Sequence, residues 1–93
     1  MTLTAIPTTI TTLGNEAFRQ CYYLLPAIMD FSNTDLVTMG QDVFNSCRNI
    51  EKFIFPDNPL ITTIPIGFFS RCDKLEEVVL PSGVEIIDDY VFS

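Results

Sequence analysis

Hydrophobic residues in this chain recur at regular intervals rather than in blocks. Phenylalanine, preceded by a small or apolar residue, occurs four times at steps of 26, 25 and 23 residues, and a cysteine follows three residues after each of the first three copies. The members of these two sets are Phe18, Phe44, Phe69 and Phe92, and Cys21, Cys47 and Cys72. Self-similarity at a period of about 20 to 50 residues is typical of solenoids. The pattern predicts just under four stacked repeats, with these side chains in two columns of the core.

Each repeat also holds a short apolar stretch of the form Leu-x-x-Val-x-Leu, followed directly by proline in two copies. Alternating apolar positions indicate a strand with one buried face, and proline ends a strand because it has no N–H to donate. We therefore predict strand segments near residues 1–7, 24–30, 50–56 and 75–81, within a single domain that spans residues 1–93. One strand per repeat would form a parallel sheet with a spacing of about 4.8 Å.

Two further features complete the predicted fold, an α/β-type repeat solenoid. The stretch Ala-Phe-x-x-Cys-x-x-Leu has apolar spacings of three and four, which favour short helical or 3₁₀ turns on the wall opposite the sheet. The linker after each strand segment varies in length, from two residues at 8–9 and 82–83 to five at 31–35 and four at 57–60. Insertions confined to one point predict a loop along one edge of the coil.

These repeats resemble the BspA-like leucine-rich repeat family, whose unit of about 23 residues carries Leu-Pro, Ile-Gly and Ala-Phe-x-x-Cys signatures. The resemblance covers essentially the whole chain and is clearest at the cysteines and at Leu80-Pro81, Leu13-Gly14, Met39-Gly40 and Ala17-Phe18. The chain departs from the signature at Val43, Phe68 and Val91 in the Ala position and at Pro65 and Asp88 in the Gly position. The resemblance implies a leucine-rich-repeat coil in a cell-surface or secreted protein associated with adhesion.

Composition removes several classes of function. Twelve acidic residues against five basic ones give a formal net charge of -7, which opposes binding to nucleic acid. No run approaches the roughly 18 apolar residues of a membrane span, and residues 1–10 lack the basic and apolar regions of a signal peptide. We therefore expect neither a nucleic-acid partner, nor a membrane span, nor a signal peptide in this chain.

The residues also give little support for catalysis or metal binding. The chain has no histidine, no serine or cysteine with a base beside it, and no glycine-rich phosphate loop. Cysteines spaced by 26 and 25 residues fit no zinc or cluster motif, so we interpret them as buried free thiols that pack as small hydrophobes. We expect no enzyme activity, no cofactor and no metal site.

A binding surface is expected on the outer face of the predicted sheet. The residue between the two inward positions of each strand is apolar in every copy, and the residue two places earlier is mixed in character. These positions are Ala5, Ile28, Ile54 and Val79, and beside them Leu3, Pro26, Lys52 and Glu77. An apolar stripe with a polar border is typical of an interaction site, so the candidate partner-binding residues are Ile28, Lys52, Ile54, Glu77 and Val79. The alternative is that branched side chains simply suit a parallel sheet.

Four of the five basic residues fall between the Phe and Leu positions of the repeats. They are Arg19, Arg48, Arg71 and Lys74, on the wall expected opposite the sheet. They form either a solvated surface or a strip that meets an anionic glycan or a neighbouring chain.

Two functions follow from different classes. The first is a non-catalytic recognition module that binds a protein or glycan partner through the sheet face. The second is a structural segment that joins neighbouring repeats or chains through uncapped ends. We expect such ends because Met1 occupies a strand-start position and Ser93 stops within a repeat.

Overall fold

The computed structural model of the protein describes residues 2–3 and 5–93, which contain seven short strands and no helix. The strands are β1 (Thr12–Leu13), β2 (Ile28–Asp30), β3 (Thr38–Met39), β4 (Lys52–Ile54), β5 (Thr63–Ile64), β6 (Glu77–Val79) and β7 (Ile86–Ile87). Each strand is two or three residues long. Met1 and Thr4, which fall in the predicted strand segment 1–7, lie outside the described residues.

The strands pair in parallel, each with a strand two places away in the chain. One sheet has the order β2-β4-β6, and two smaller sheets consist of β1 with β3 and of β5 with β7. Parallel neighbours need a connection of a dozen or more residues, and here one whole repeat supplies it. β2, β4 and β6 lie within the segments 24–30, 50–56 and 75–81, and Thr2 forms a single parallel bridge to Leu25.

The turns that carry the phenylalanines are not helical, so the prediction of helical or 3₁₀ turns on this wall is wrong. The backbone takes a positive φ two residues before and two residues after the phenylalanine. These left-handed residues are Glu16, Asp42, Gly67 and Tyr90 on one side and Gln20, Ser46 and Arg71 on the other. A right-handed helix needs negative φ at every residue. The two left-handed residues therefore hold each turn out of a helix.

Backbone hydrogen bonds between successive repeats replace the bonds that a helix would have made. The amide of Phe18 donates to the carbonyl of Val43 (2.9 Å), and the amide of Phe44 donates to the carbonyl of Phe68 (3.0 Å). A buried N–H without a partner is costly. The phenylalanine amides thus stack each turn on the next, and β1, β3, β5 and β7, which the sequence pattern did not predict, enter these turns.

The register of the main sheet differs from the predicted one at the first step. Ile28 pairs with Lys52 rather than with Ile54, and Met29 pairs with Phe53. The second step has the predicted register, since Ile54 pairs with Val79.

An insertion before β2 explains this difference. Leu24 and Ile50 are equivalent, because the amide of each donates to the carbonyl of the cysteine three residues earlier. From Leu24 to the inward residue of β2 the chain advances five residues, to Met29, whereas from Ile50 it advances three, to Phe53. The two extra residues are accommodated around Leu25-Pro26, which are joined by a cis peptide bond. Length variation is therefore not confined to the loop after the strand.

The same shift moves Phe31 out of the predicted 31–35 loop and into the core. Phe31 is buried, its ring stacks on that of Phe53 at 5.1 Å, and its amide donates to the carbonyl of Ile54. The core combines aromatic and branched side chains from every repeat. Its largest fully buried members are Phe31, Phe44, Phe53, Phe68, Phe69, Leu24, Met29, Leu36, Ile50, Ile61, Ile64 and Val43.

Candidate interaction surfaces

The outer face of the main sheet carries two rows of side chains, each of which contains both apolar and charged residues. One row is Ile28, Lys52 and Glu77, and the other is Asp30, Ile54 and Val79. The central residues of the strands lie between these rows and point to the other face, into the core. The column Ile28, Ile54, Val79 was predicted to be continuous, and this is wrong: the insertion before β2 places Ile28 in the row of Lys52, so the apolar residues run diagonally.

The apolar residues of this face are accessible to a partner. Ile28 is 55% exposed and Val79 is 40% exposed, while Ile54 between them is partly buried. Interfaces of this kind combine an apolar centre with charged groups at the border. We refer to Ile28, Asp30, Lys52, Ile54, Glu77 and Val79 as the sheet face.

Charges on the sheet face are of both signs. Lys52 Nζ lies 3.4 Å from Glu77 Oε2, an exposed pair that contributes little to stability. Hydrogen bonds from the side chain and the backbone amide of Ser32 hold the pKa of Asp30 below its ordinary value, so this carboxylate is ionised at neutral pH. The sequence pattern missed Asp30 as a member of the face, because the predicted register placed it at the end of the segment 24–30, in the position that proline takes in the other repeats.

A groove extends the sheet face towards the first repeat. Leu3, Ala5 and Pro26 line it together with Ile28 and Asp30. The outward positions predicted for the first two repeats thus adjoin one concave surface. The groove makes this end of the sheet face concave, whereas the strands alone would form a flat surface.

The four phenylalanines of the repeat form a continuous stack. Phe18 and Phe44 have ring centroids 5.3 Å apart, Phe44 and Phe69 6.3 Å apart, and Phe69 and Phe92 5.9 Å apart, with near-parallel planes in each case. Phe44 and Phe69 are buried, whereas Phe92 is 54% exposed. The stack therefore ends in a ring that has one free face.

The cysteines connect successive repeats through their thiols. Cys47 Sγ donates to the carbonyl of Phe18 at 3.0 Å, and Cys72 Sγ donates to the carbonyl of Phe44 at 3.1 Å. None of the three cysteines forms a disulfide, and Cys21 is only partly buried. Burial raises the pKa of Cys47 to about 12 and that of Cys72 to about 11, so both remain protonated donors. A protonated thiol is a poor nucleophile.

The thiols should therefore react unequally with Ellman's reagent. At pH 8 we expect Cys21 to react rapidly in the folded protein, and Cys47 and Cys72 to react only on unfolding. Stopped-flow labelling with and without urea measures these reaction rates. Rapid reaction of all three thiols in the folded protein would contradict the arrangement.

The same two thiols should make the stability of the fold depend on pH. Because the folded pKa values of Cys47 and Cys72 lie above the ordinary value of 9.0, their contribution to stability should be fully present below pH 9 and decrease as the pH rises towards 11 to 12.

A second surface consists of the exposed side chains between the Phe and Leu positions. Its members are Arg19, Arg48, Arg71 and Lys74, with Tyr22 and Tyr23, and we call it the basic wall. The guanidinium of Arg48 lies over the ring of Tyr22, 4.9 Å from its centroid, and Arg48 Nε lies 3.6 Å from Asp73 Oδ2. The sequence pattern missed the contact of Arg48 with Tyr22, although the two residues occupy the same position in successive repeats.

Two further properties of the described residues bear on metal binding and on membranes. Within residues 2–3 and 5–93, no three side chains from Cys, Asp and Glu lie close enough together to share a metal ion. The same part of the chain contains no helix of the length and apolarity that would cross a bilayer.

Short parallel strands, an insertion-tolerant period and stacked Phe and Cys columns define a leucine-rich repeat protein. The chain belongs to the BspA-type leucine rich repeat family, whose model matches residues 1–93 in six copies. The family assignment expected from the sequence is thus confirmed, although the family model contains more copies than the just under four that the Phe spacing indicates. Membership of this family is consistent with a protein-interaction module. No curated protein and no solved structure matches the chain.

Proposed function

We propose that this protein is a non-catalytic recognition module that binds a protein partner through its sheet face. In this proposal the repeats form a continuous solenoid, and the sheet face lines one side of it. The observation that carries the proposal is the diagonal of Ile28, Ile54 and Val79 across three paired strands, in which each apolar side chain stands beside a charge. Repeat proteins bind partners on extended faces of this kind.

The proposed setting is the cell surface or the extracellular space, where the module contributes to adhesion. Support comes from the family, whose members resemble this chain in their repeat signature. We also propose that the protein has no enzyme activity, since the two most buried thiols are held protonated and the chain lacks histidine. The extracellular setting and the absence of enzyme activity are both proposed for the whole protein.

Charge placed on the diagonal should weaken binding. Ile28→Asp is expected to weaken binding to immobilised extracellular-matrix protein by about tenfold or more, because a carboxylate cannot enter a desolvated interface without a partner. Ile28 is 55% exposed, so the variant should fold normally. Biolayer interferometry gives the affinity, and circular dichroism checks the fold.

Ile86→Asp provides a matched control. Ile86 is also 55% exposed on a short parallel strand, but it belongs to β7, outside the sheet face. It should bind as the unchanged protein does. Equal affinity of the Ile28→Asp and unchanged proteins would rule out the sheet face as the binding site.

A second candidate function is assembly, favoured by one observation. Apolar side chains whose equivalents in earlier repeats are buried become exposed along the last strands and turn: Ile87 continues the position of buried Ile64, and Phe92 that of Phe69. A further repeat or a neighbouring chain would cover them. In this alternative Ile87→Asp and Phe92→Asp reduce self-association, measured by light scattering, while Ile28→Asp has no effect on it.

A further inference from the structure

We propose that the basic wall is a second binding site, specific for an acidic polysaccharide whose sugar rings carry sulfate or carboxylate groups. This site is separate from the sheet face and does not depend on it. Charge is separated along the chain, the turns that carry the wall stack on one another, and the two tyrosines of the wall are exposed.

Positive charge in this protein is concentrated in three segments. Residues 18–24, 44–50 and 69–75 contain four of the five basic residues and one of the twelve acidic ones, a net charge of +3. The remaining residues therefore carry a net charge of -10, and the two parts together give the total of -7. At about 0.1 M salt, charges are screened beyond about 10 Å. An anionic ligand on the wall thus experiences mainly the nearest charges, which are four basic groups and the carboxylates of Glu16 and Asp73 that contact two of them.

The fold places these three segments side by side. The amide of Gln20 donates to the carbonyl of Asn45, and the amide of Ser46 donates to the carbonyl of Ser70, both at 2.7 Å. The segments therefore stack in register at a spacing of about 4.8 Å. The four cations, which stand one, two, four or five residues after the phenylalanine of their repeats, therefore lie on three stacked turns.

The cations of the wall are available to a ligand. Arg19 is paired with Glu16 at 2.9 Å, and Arg48 with Asp73 at 3.6 Å, but these side chains are about half exposed and such pairs exchange readily with other anions. Within the described residues, Arg71 and Lys74 take part in no ion pair shorter than 4 Å. At least two full positive charges thus face solvent without an acidic neighbour in contact.

Exposed aromatic rings distinguish this patch from a merely solvated one. Tyr23 is 75% exposed, and Tyr22 beside it holds the guanidinium of Arg48 over its ring. The face of an aromatic ring carries a partial negative charge. It therefore attracts the polarised C–H groups of a sugar ring as well as a cation. Two rings in the first turn, one of them in contact with Arg48, match a chain of sugars that carries anionic groups.

Charge spacing argues against nucleic acid as the ligand. Duplex DNA presents a negative charge about every 1.7 Å, whereas the cations of the wall are distributed over turns about 4.8 Å apart. The cations of the wall are therefore more widely spaced than the phosphates of duplex DNA. An acidic polypeptide lacks the sugar rings that would pack against Tyr23.

Heparin fragments of defined length are the probe for the first experiment, with the full chain and isothermal titration calorimetry at 50 mM salt. Heparin should bind, and Arg48→Gln and Lys74→Gln should each weaken binding by about threefold to fivefold, the effect of losing one exposed ion pair. Lys52→Gln removes the same charge from the sheet face and should leave heparin affinity unchanged. Tyr23→Ala should weaken binding, whereas Tyr90→Ala, which removes an equally exposed tyrosine elsewhere, should not.

Three results would overturn the proposal. The first is the absence of heparin binding, and the second is an equal loss in Lys52→Gln and Arg48→Gln, which would indicate only non-specific attraction. The third is binding of polyglutamate or oligothymidylate as tight as that of heparin, which would assign the wall to an acidic protein or to nucleic acid. Ile28→Asp should retain heparin binding, so failure of the sheet-face proposal and failure of this one are distinguishable.

Discussion

Replacing Phe44 by alanine is expected to lower the free energy of unfolding by about 3 to 5 kcal/mol, the range for a fully buried phenylalanine. Phe44 has no exposed surface, and its ring contacts other aromatic rings on several sides. These rings belong to Phe18, Phe31, Phe53, Phe68 and Phe69. The cavity would lie where the phenylalanine stack meets the inward residues of the main sheet. A domain of this size has only about 5 to 15 kcal/mol of stability in total, so a large part of it would be lost.

Phe92→Ala is the control for this prediction. Phe92 stands at the same position of the repeat and stacks on Phe69, but it is about half exposed and has one ring neighbour. We expect it to lose less than about 1 kcal/mol. Urea unfolding followed by circular dichroism gives both values. A similar loss in the two variants would mean that burial does not increase towards the middle of the stack.

Gly40→Ala should be the most damaging of the small substitutions, with a loss of about 2 to 3 kcal/mol from overpacking. A Cβ at Gly40 would lie 2.5 Å from the amide nitrogen and 2.8 Å from the Cα of Asn15 in the preceding repeat. Backbone atoms cannot rotate away as a side chain can. The two turns would have to separate, and this would strain the hydrogen bonds from the Gly40 amide to Leu13 and from the Gln41 amide to Asn15 Oδ1.

Gly14 is the matched position one repeat earlier. A Cβ there would meet no atom within 4 Å, so Gly14→Ala should be neutral or more stable by up to about 1 kcal/mol, through a less flexible unfolded chain. Thermal unfolding of the two variants in parallel measures the difference. If Gly40→Ala were as stable as Gly14→Ala, the close stacking of the two turns would be refuted.

Recurrence made part of the fold predictable from the sequence. Four phenylalanines at one repeat position and three cysteines at another specify two columns, because equivalent residues of stacked repeats must meet. The helical turns were predicted wrongly for a physical reason: apolar spacings of three and four suit any tight turn. Here six residues other than glycine, among them Glu16 and Gln20, adopt left-handed conformations that their side chains do not reveal.

The register of the sheet face shows a second limit. Ala27, Met29 and Phe31 are all apolar, so the alternation is equally good in two registers that differ by two residues. A shift by one residue would exchange the faces of a strand, but a shift by two leaves every side chain on the same face. The sequence therefore predicted the neighbours Ile54 and Val79 correctly, and could not distinguish Lys52 from Ile54 as the partner of Ile28. The grouping of Arg19, Arg48, Arg71 and Lys74 between the Phe and Leu positions, by contrast, follows from charge and period alone.

Each repeat has two corners, one before and one after its strand in the main sheet. These corners have a consequence for how such a chain can change over generations. One corner takes up two extra residues at Leu25-Pro26, and the other varies in length after β2, β4 and β6, while the columns of Phe and Cys remain aligned. The spatial period of the stack is therefore independent of the number of residues in each unit. Short insertions and deletions in the gene can accumulate at these corners, and the surfaces beside them can diversify, while the aromatic stack stays unchanged.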